Sequence, residues 1–142
     1  MARWRAEAPK RLPELRDVIT SADSVMALWF ELQSAFEEAY RADPPDESLI
    51  GCIYSFADWC LQAPRGPDGG HDPISGAIVA FYEDIASFKP ARDDMPRWFT
   101  YAEVADNRQV FAYNIGDKAY DDLVKHMSIN RRRYKPRPST KP

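Results

Sequence analysis

Apolar residues recur at helical spacing through most of the chain. Between Ala22 and Arg41, Val25, Leu28, Trp29, Leu32, Phe36 and Tyr40 follow one another at intervals that come mostly to three or four, which places them on one face of a long amphipathic helix. Glu31, Glu37 and Glu38 fall mostly off that face. Thr20 or Ser21 suits the N-cap, with Asp23 in the first turn, where the helix dipole favours an acid. The Asp43-Pro44-Pro45-Asp46 segment ends this helix and starts the next. Leu49 to Leu61 is apolar nearly all round, as expected of a helix at the centre of a bundle, with Gly51 allowing close approach.

Ala63 to Asp72 is dense in Pro and Gly and reads as a loop. Asp72 then caps a third long helix, with Pro73 at its first position and Ile74, Ile78, Phe81, Tyr82 and Ile85 on one face. Lys89-Pro90 stops it. Met95 to Phe99 is expected to be a turn whose two aromatics plug the bundle end. Thr100 with Glu103 three residues later is a capping box for another helix. Val110, Phe111, Tyr113 and Ile115 suit either a short strand or a buried connector, and Gly116-Asp117 opens a final helix through Met127. A short helix from Pro13 to Ile19 precedes the first long one. The pattern predicts an all-α bundle of four to six helices, with a short strand or extended connector at 110–115. It divides the chain into a loose basic arm at 1–12, a single helical domain at 13–127 and a basic flexible tail at 128–142.

The runs SFADWCLQ (55–62), IVAFYEDI (78–85) and MPRWF followed by TYAEV (95–104) resemble a group of small helical bacterial proteins known as a domain of unknown function. The resemblance covers roughly residues 20–127 and leaves both basic ends outside. It implies an all-α fold and carries over no catalytic residue.

Composition adds limits. At 142 residues, 44% hydrophobic and 13% aromatic, the chain has enough apolar material for one compact core and too much for wholesale disorder. No apolar run approaches the roughly 18 residues needed to span a bilayer, and Met1 to Leu12 lacks the form of a signal peptide, so a cytoplasmic location is expected. Cys52 and Cys60, about 12 Å apart along one helix, are too distant for a disulfide and are expected to be free thiols.

The net charge of −3 conceals an uneven layout. From Ile129 onward there are six basic residues and no acid, and residues 1–16 hold five basic and two acidic residues. Residues 17–128 carry 8 basic against 20 acidic residues, a net −12.

Candidate chemistry is sparse. His71 beside Asp68 and Asp72 offers the residue types of a metal site or general base, but in a Gly/Pro loop these are expected to be solvated, with Asp72 serving as the cap. His126, four residues after Asp122, is expected to form a surface ion pair with it. Ser75 lies in PISGA, which lacks the pattern of a nucleophile elbow, and Gly69-Gly70 is followed by no Lys-Ser/Thr of a P-loop. The acidic pairs Glu83-Asp84 and Asp93-Asp94 point in different directions on a helix and read as solvated surface. No catalytic residue, cofactor or metal is indicated, and the chain is expected not to be an enzyme.

Two binding functions remain. The first is a protein-binding module whose acidic, aromatic-studded surface steers toward a basic partner, with Glu31, Glu37, Glu38, Asp43, Asp46 and Glu47 as candidates. In an immunity-protein-like version, the carboxylates meet the phosphate-binding site of a nuclease. The second is a nucleic-acid-associated protein whose tail contacts phosphates through Arg131, Arg132, Arg133, Lys135 and Arg137, with Tyr134 stacking on a base.

Overall fold

The computed structural model describes residues 3–131, and within them every regular element is helical. The helices are α1 (Arg3–Arg11), α2 (Arg16–Ser21), α3 (Val25–Arg41), α4 (Glu47–Gln62), α5 (Pro73–Ala77), α6 (Lys89–Asp93), α7 (Met95–Trp98), α8 (Tyr101–Ala105), α9 (Arg108–Phe111) and α10 (Gly116–Asn130). The chain divides into two compact units between Phe81 and Tyr82. No helix among the described residues is long and apolar enough to cross a membrane.

In the first unit, α4 packs against α1, α3 and α5. The predicted stripe of α3 turns inward, with Val25, Leu28, Trp29, Leu32 and Phe36 all buried. Ile50, Ile53, Tyr54, Phe56, Ala57 and Cys60 of α4 meet it. Phe81 lies at the middle of the resulting aromatic cluster, 5.1 Å from Trp29, 5.0 Å from Phe36 and 5.1 Å from Tyr54 between ring centroids. Rings of this size each remove on the order of 150–250 Å² from water, so the cluster dominates the unit's apolar burial. Gly76 lets α5 approach closely, since a Cβ there would stand 2.9 Å from Cδ1 of Trp29.

Several local expectations are corrected. Residues 3–11 are helical rather than a loose arm, despite Pro9 inside the helix. Trp4, Ala8 and Leu12, spaced four apart, are all buried. Arg11 donates from Nη1 to the carbonyl and hydroxyl of Ser55 on α4, and from Nε to Glu7. Packing outweighs the one hydrogen bond that a proline removes. The cap of α3 is Ser24, whose hydroxyl accepts from the amide of Ala27, because Thr20 and Ser21 are consumed by α2.

The long helix expected from Pro73 is short. Asp72 caps α5 as predicted, but a π-helical turn follows at Ile78–Tyr82 and a 3₁₀ turn at Ile85–Ser87. Of the face expected of a straight helix, Phe81, Tyr82 and Ile85 are buried and Ile74 and Ile78 only half-buried, while Ala80 and Ala86, off that face, are buried as well.

In the second unit, α10 packs against α7 and α8. Lys89-Pro90 opens α6 instead of closing a helix, consistent with proline's fitness for the first turn. Met95 to Trp98 is a single helical turn, and Phe99 packs edge-on to Tyr82 and Phe111. The capping box of Thr100 and Glu103 is formed in both directions. No strand forms at 110–115: the amides of Val110 and Phe111 both donate to the carbonyl of Asn107, giving the turn α9. Tyr120 pins α10 to α8 through hydroxyl bonds to the carbonyls of Val104 (2.6 Å) and Ala105 (3.0 Å).

Candidate functional site

The outer face of α3 is built by the same periodicity that builds the core. Trp29 is fully buried, so its neighbour Phe30, one position off the stripe, is carried outward and stands 55% exposed. Around it on the solvent side lie Glu31, Ser34 and Glu38, all exposed, and Glu37, half-buried and paired with Arg41 at 3.3 Å. Gln33 reaches across to donate to the carbonyl of Ala80 at 2.7 Å, beside Val79, which is 50% exposed. Phe30 thus stands exposed on the same side of α3 as Glu31, Ser34 and Glu38.

Further acidic residues follow the helix end. Asp43 and Glu47 are exposed. The amide of Asp46 donates to the carbonyl of Ala39, closing the turn, and its carboxylate accepts from the amide of Leu49 as the cap of α4. Asp46 and Glu37 therefore have intramolecular roles, while Glu31, Glu38 and Asp43 are turned to solvent. Between Glu31 and Glu47 there are six acids and one base, Arg41. The Cys52 thiol is pushed up by burial and then by the carboxylates of Glu14 and Asp46. Glu14 and Phe30 were not among the sequence candidates. Phe30 was detectable as the bulky residue that breaks the α3 stripe, whereas Glu14 is linked to this surface only through the packing around Cys52.

Of the basic tail, Arg131 is described, and its guanidinium lies 5.5 Å from the ring centroid of Tyr101. Arg132, Arg133, Tyr134, Lys135 and Arg137 lie outside the described residues.

The other constellations separate. Asp68 accepts from the amide of His71 and meets its Nδ1 at 2.9 Å, and this pairing holds the exposed Asp68 carboxyl below its ordinary range. Asp72 turns away from both, inward, to the Ser75 hydroxyl (2.7 Å), the Gly66 amide (3.1 Å) and Arg65 (2.9 Å). Ser75 is thereby a donor to a carboxylate. His126 does not pair with Asp122: its Nε2 lies 2.9 Å from the carbonyl of Asp93, and Asp122 pairs with Lys118. Asp93 pairs with Lys89, and Asp94 with Arg97. Cys52 and Cys60 are free thiols. Burial pushes the Cys60 thiol up to about 12, against the opposing effects of the Trp29 indole N–H and Arg11. Among the described residues, no group of three or more His, Cys, Asp or Glu side chains is placed to hold a metal ion. Compared with known proteins, the chain matches no family model, no curated protein and no solved structure.

Proposed function

We propose that this chain is a non-enzymatic protein-binding module that engages a basic partner through the outer face of α3 and the turn that follows it. The observation that supports this most is the exposure of Phe30 among Glu31, Glu37 and Glu38. Aromatic side chains are enriched at the cores of protein interfaces, where a few of them carry much of the binding energy, and a net acidic surface accelerates encounter with a basic one. The carboxylates at the helix end give the same surface its steering field, and a partner that ordinarily binds phosphates would present the complementary charge.

The test places a photo-crosslinking phenylalanine analogue at position 30 of the full-length chain, with position 113, where Tyr113 is 72% exposed, as the control. The labelled proteins are mixed with nuclease-treated extract of the source cells. A discrete protein adduct at position 30, absent at 113 and weakened by raised salt and by the E31K/E38K double substitution, is the expected result. Substituting Phe30→Ala should then weaken binding of the purified partner by about 2 kcal/mol or more, the range for a central aromatic anchor. The proposal is refuted if position 30 gives no adduct, or if the adduct persists undiminished under charge reversal. Recovery of nucleic acid alone, abolished by neutralising Arg131, Arg132, Arg133, Lys135 and Arg137, would instead establish the tail as the binding element.

A further inference from the structure

The second unit contains a cavity of about 310 Å³, open to solvent and lined by Arg92, Asp93, Ala119, Asp122, Leu123 and His126. At a volume of this order it admits a small polar molecule. Its α10 wall is a single helix stripe: Ala119, Asp122, Leu123 and His126 are spaced three, one and three residues apart.

The charges in this lining are unevenly satisfied. Arg92 is half-buried and donates from Nη1 to the carbonyl of Ala86 at 3.1 Å. No carboxylate among the described residues pairs with it, although two line the same cavity. Those two are each held by a lysine four residues earlier on their own helix, Asp93 by Lys89 (2.6 Å) and Asp122 by Lys118 (3.4 Å). The lysines are 72% and 93% exposed. Exposed pairs of this type contribute only about 0.3–0.5 kcal/mol, so a competing ammonium can displace them. His126 is already committed. A carbonyl can only accept, so Nε2 carries the proton it donates to Asp93. The Asn130 amide nitrogen donates to the His126 carbonyl at 2.9 Å and lies 3.2 Å from Nδ1, which accepts. The imidazole is a clip that joins α10 to the end of α6.

We infer that this cavity binds a small aminocarboxylate zwitterion, a free amino acid or a short homologue, with its carboxylate on Arg92 and its ammonium on Asp122 and Asp93. A plain anion would meet two carboxylates, and a plain cation would meet an uncompensated guanidinium. A ligand carrying both charges satisfies each. Beyond the bond to Ala86 the guanidinium keeps four N–H donors for a carboxylate, and Ala119 and Leu123 supply apolar lining for a short aliphatic chain.

The experiment is a two-dimensional amide NMR titration of the full-length chain with glycine, β-alanine and 4-aminobutyrate. Sodium acetate and ethylammonium chloride serve as the corresponding half-ligands. The expected result is that at least one aminocarboxylate produces saturable shifts confined to the amides of residues 92–93 and 119–126. Each half-ligand should bind about tenfold or more weakly, a difference of about 1.4 kcal/mol. R92Q and D122N should each abolish saturation. Asp122 is exposed, so D122N carries the test should R92Q disturb the contact with Ala86. The inference is overturned if none of the three compounds gives a saturable response at tens of millimolar. It is also overturned if acetate binds as tightly as the best zwitterion, or if the response survives D122N.

Discussion

Asp72 has its carboxylate almost entirely removed from solvent, yet it holds two stretches of chain together. Its Oδ1 accepts from the Gly66 amide at 3.1 Å, and its Oδ2 accepts from the Ser75 hydroxyl at 2.7 Å and the Ser75 amide at 3.4 Å. Arg65 adds a contact at 2.9 Å, but its side chain is 68% exposed and the pair counts for little. Substituting Asp72→Ala removes the cap of α5, about 1 kcal/mol, and leaves the Gly66 amide and Ser75 hydroxyl without their acceptor. Each orphaned donor costs about 1–3 kcal/mol when fully buried and less here, because both residues are half-buried. The expected total is about 2–4 kcal/mol. Asp72→Asn keeps the shape and one acceptor, and should cost about 1 kcal/mol. Burial alone would raise the Asp72 carboxyl. The Ser75 hydroxyl, the Gly66 amide and Arg65 outweigh it, and the group sits below its ordinary value. A carboxyl whose folded-state pKa is lowered contributes stability above its unfolded pKa and loses it as pH falls through the lowered folded value. Urea melts of wild type and D72N at pH 7 and in the acid range below the ordinary aspartate pKa isolate that contribution, since all other carboxylates are common to both. The gap between the two proteins should narrow on acidification. An equal gap at both pH values, or a D72A cost below about 0.5 kcal/mol, would refute this account of the loop.

Three further outcomes follow from the packing. Gly76→Ala gains about 1 kcal/mol of helix propensity but drives a methyl to 2.9 Å from the buried Trp29 ring, so a net loss of about 1–2 kcal/mol and altered tryptophan emission are expected, measured by denaturant melts followed by fluorescence. Gly116→Ala should cost about 1 kcal/mol because φ is +84° there, whereas Gly69→Ala, with open space and no positive φ, should be near neutral; thermal melts of the pair separate backbone strain from crowding. A thiol reagent at pH 8 should modify only Cys52 in the native protein, with Cys60, buried and pushed up to about 12, reacting after denaturation; prompt modification of two thiols would contradict the core arrangement.

The outward position of Phe30 and the carboxylates around it was readable from helical periodicity, once Trp29 is assigned to the core. The cavity in the second unit was not. Asp122 and His126 share a helix and invite pairing by spacing alone, but His126 instead meets a backbone carbonyl thirty-three residues away in sequence, and Arg92 enters the same lining from α6. Such convergence is a property of packing, and no local spacing encodes it.

By itself the sequence determined the all-helical class, the inward face of α3, the caps at Asp72 and Thr100, and the acidic body between basic ends. Each follows from interactions reaching no further than four residues, or from composition. Helix α4, apolar nearly all round in sequence, buries one side and leaves Leu61 exposed. Tertiary structure alone decided that Arg3–Arg11 is a packed helix, that the chain after Pro73 turns through a π turn rather than running on, and that Val110 and Phe111 sit in a helical turn. In these segments local preferences amount to about 1 kcal/mol per residue, or about 3 at a proline, and burying side chains such as Trp4, Leu12 and Phe81 outweighs them.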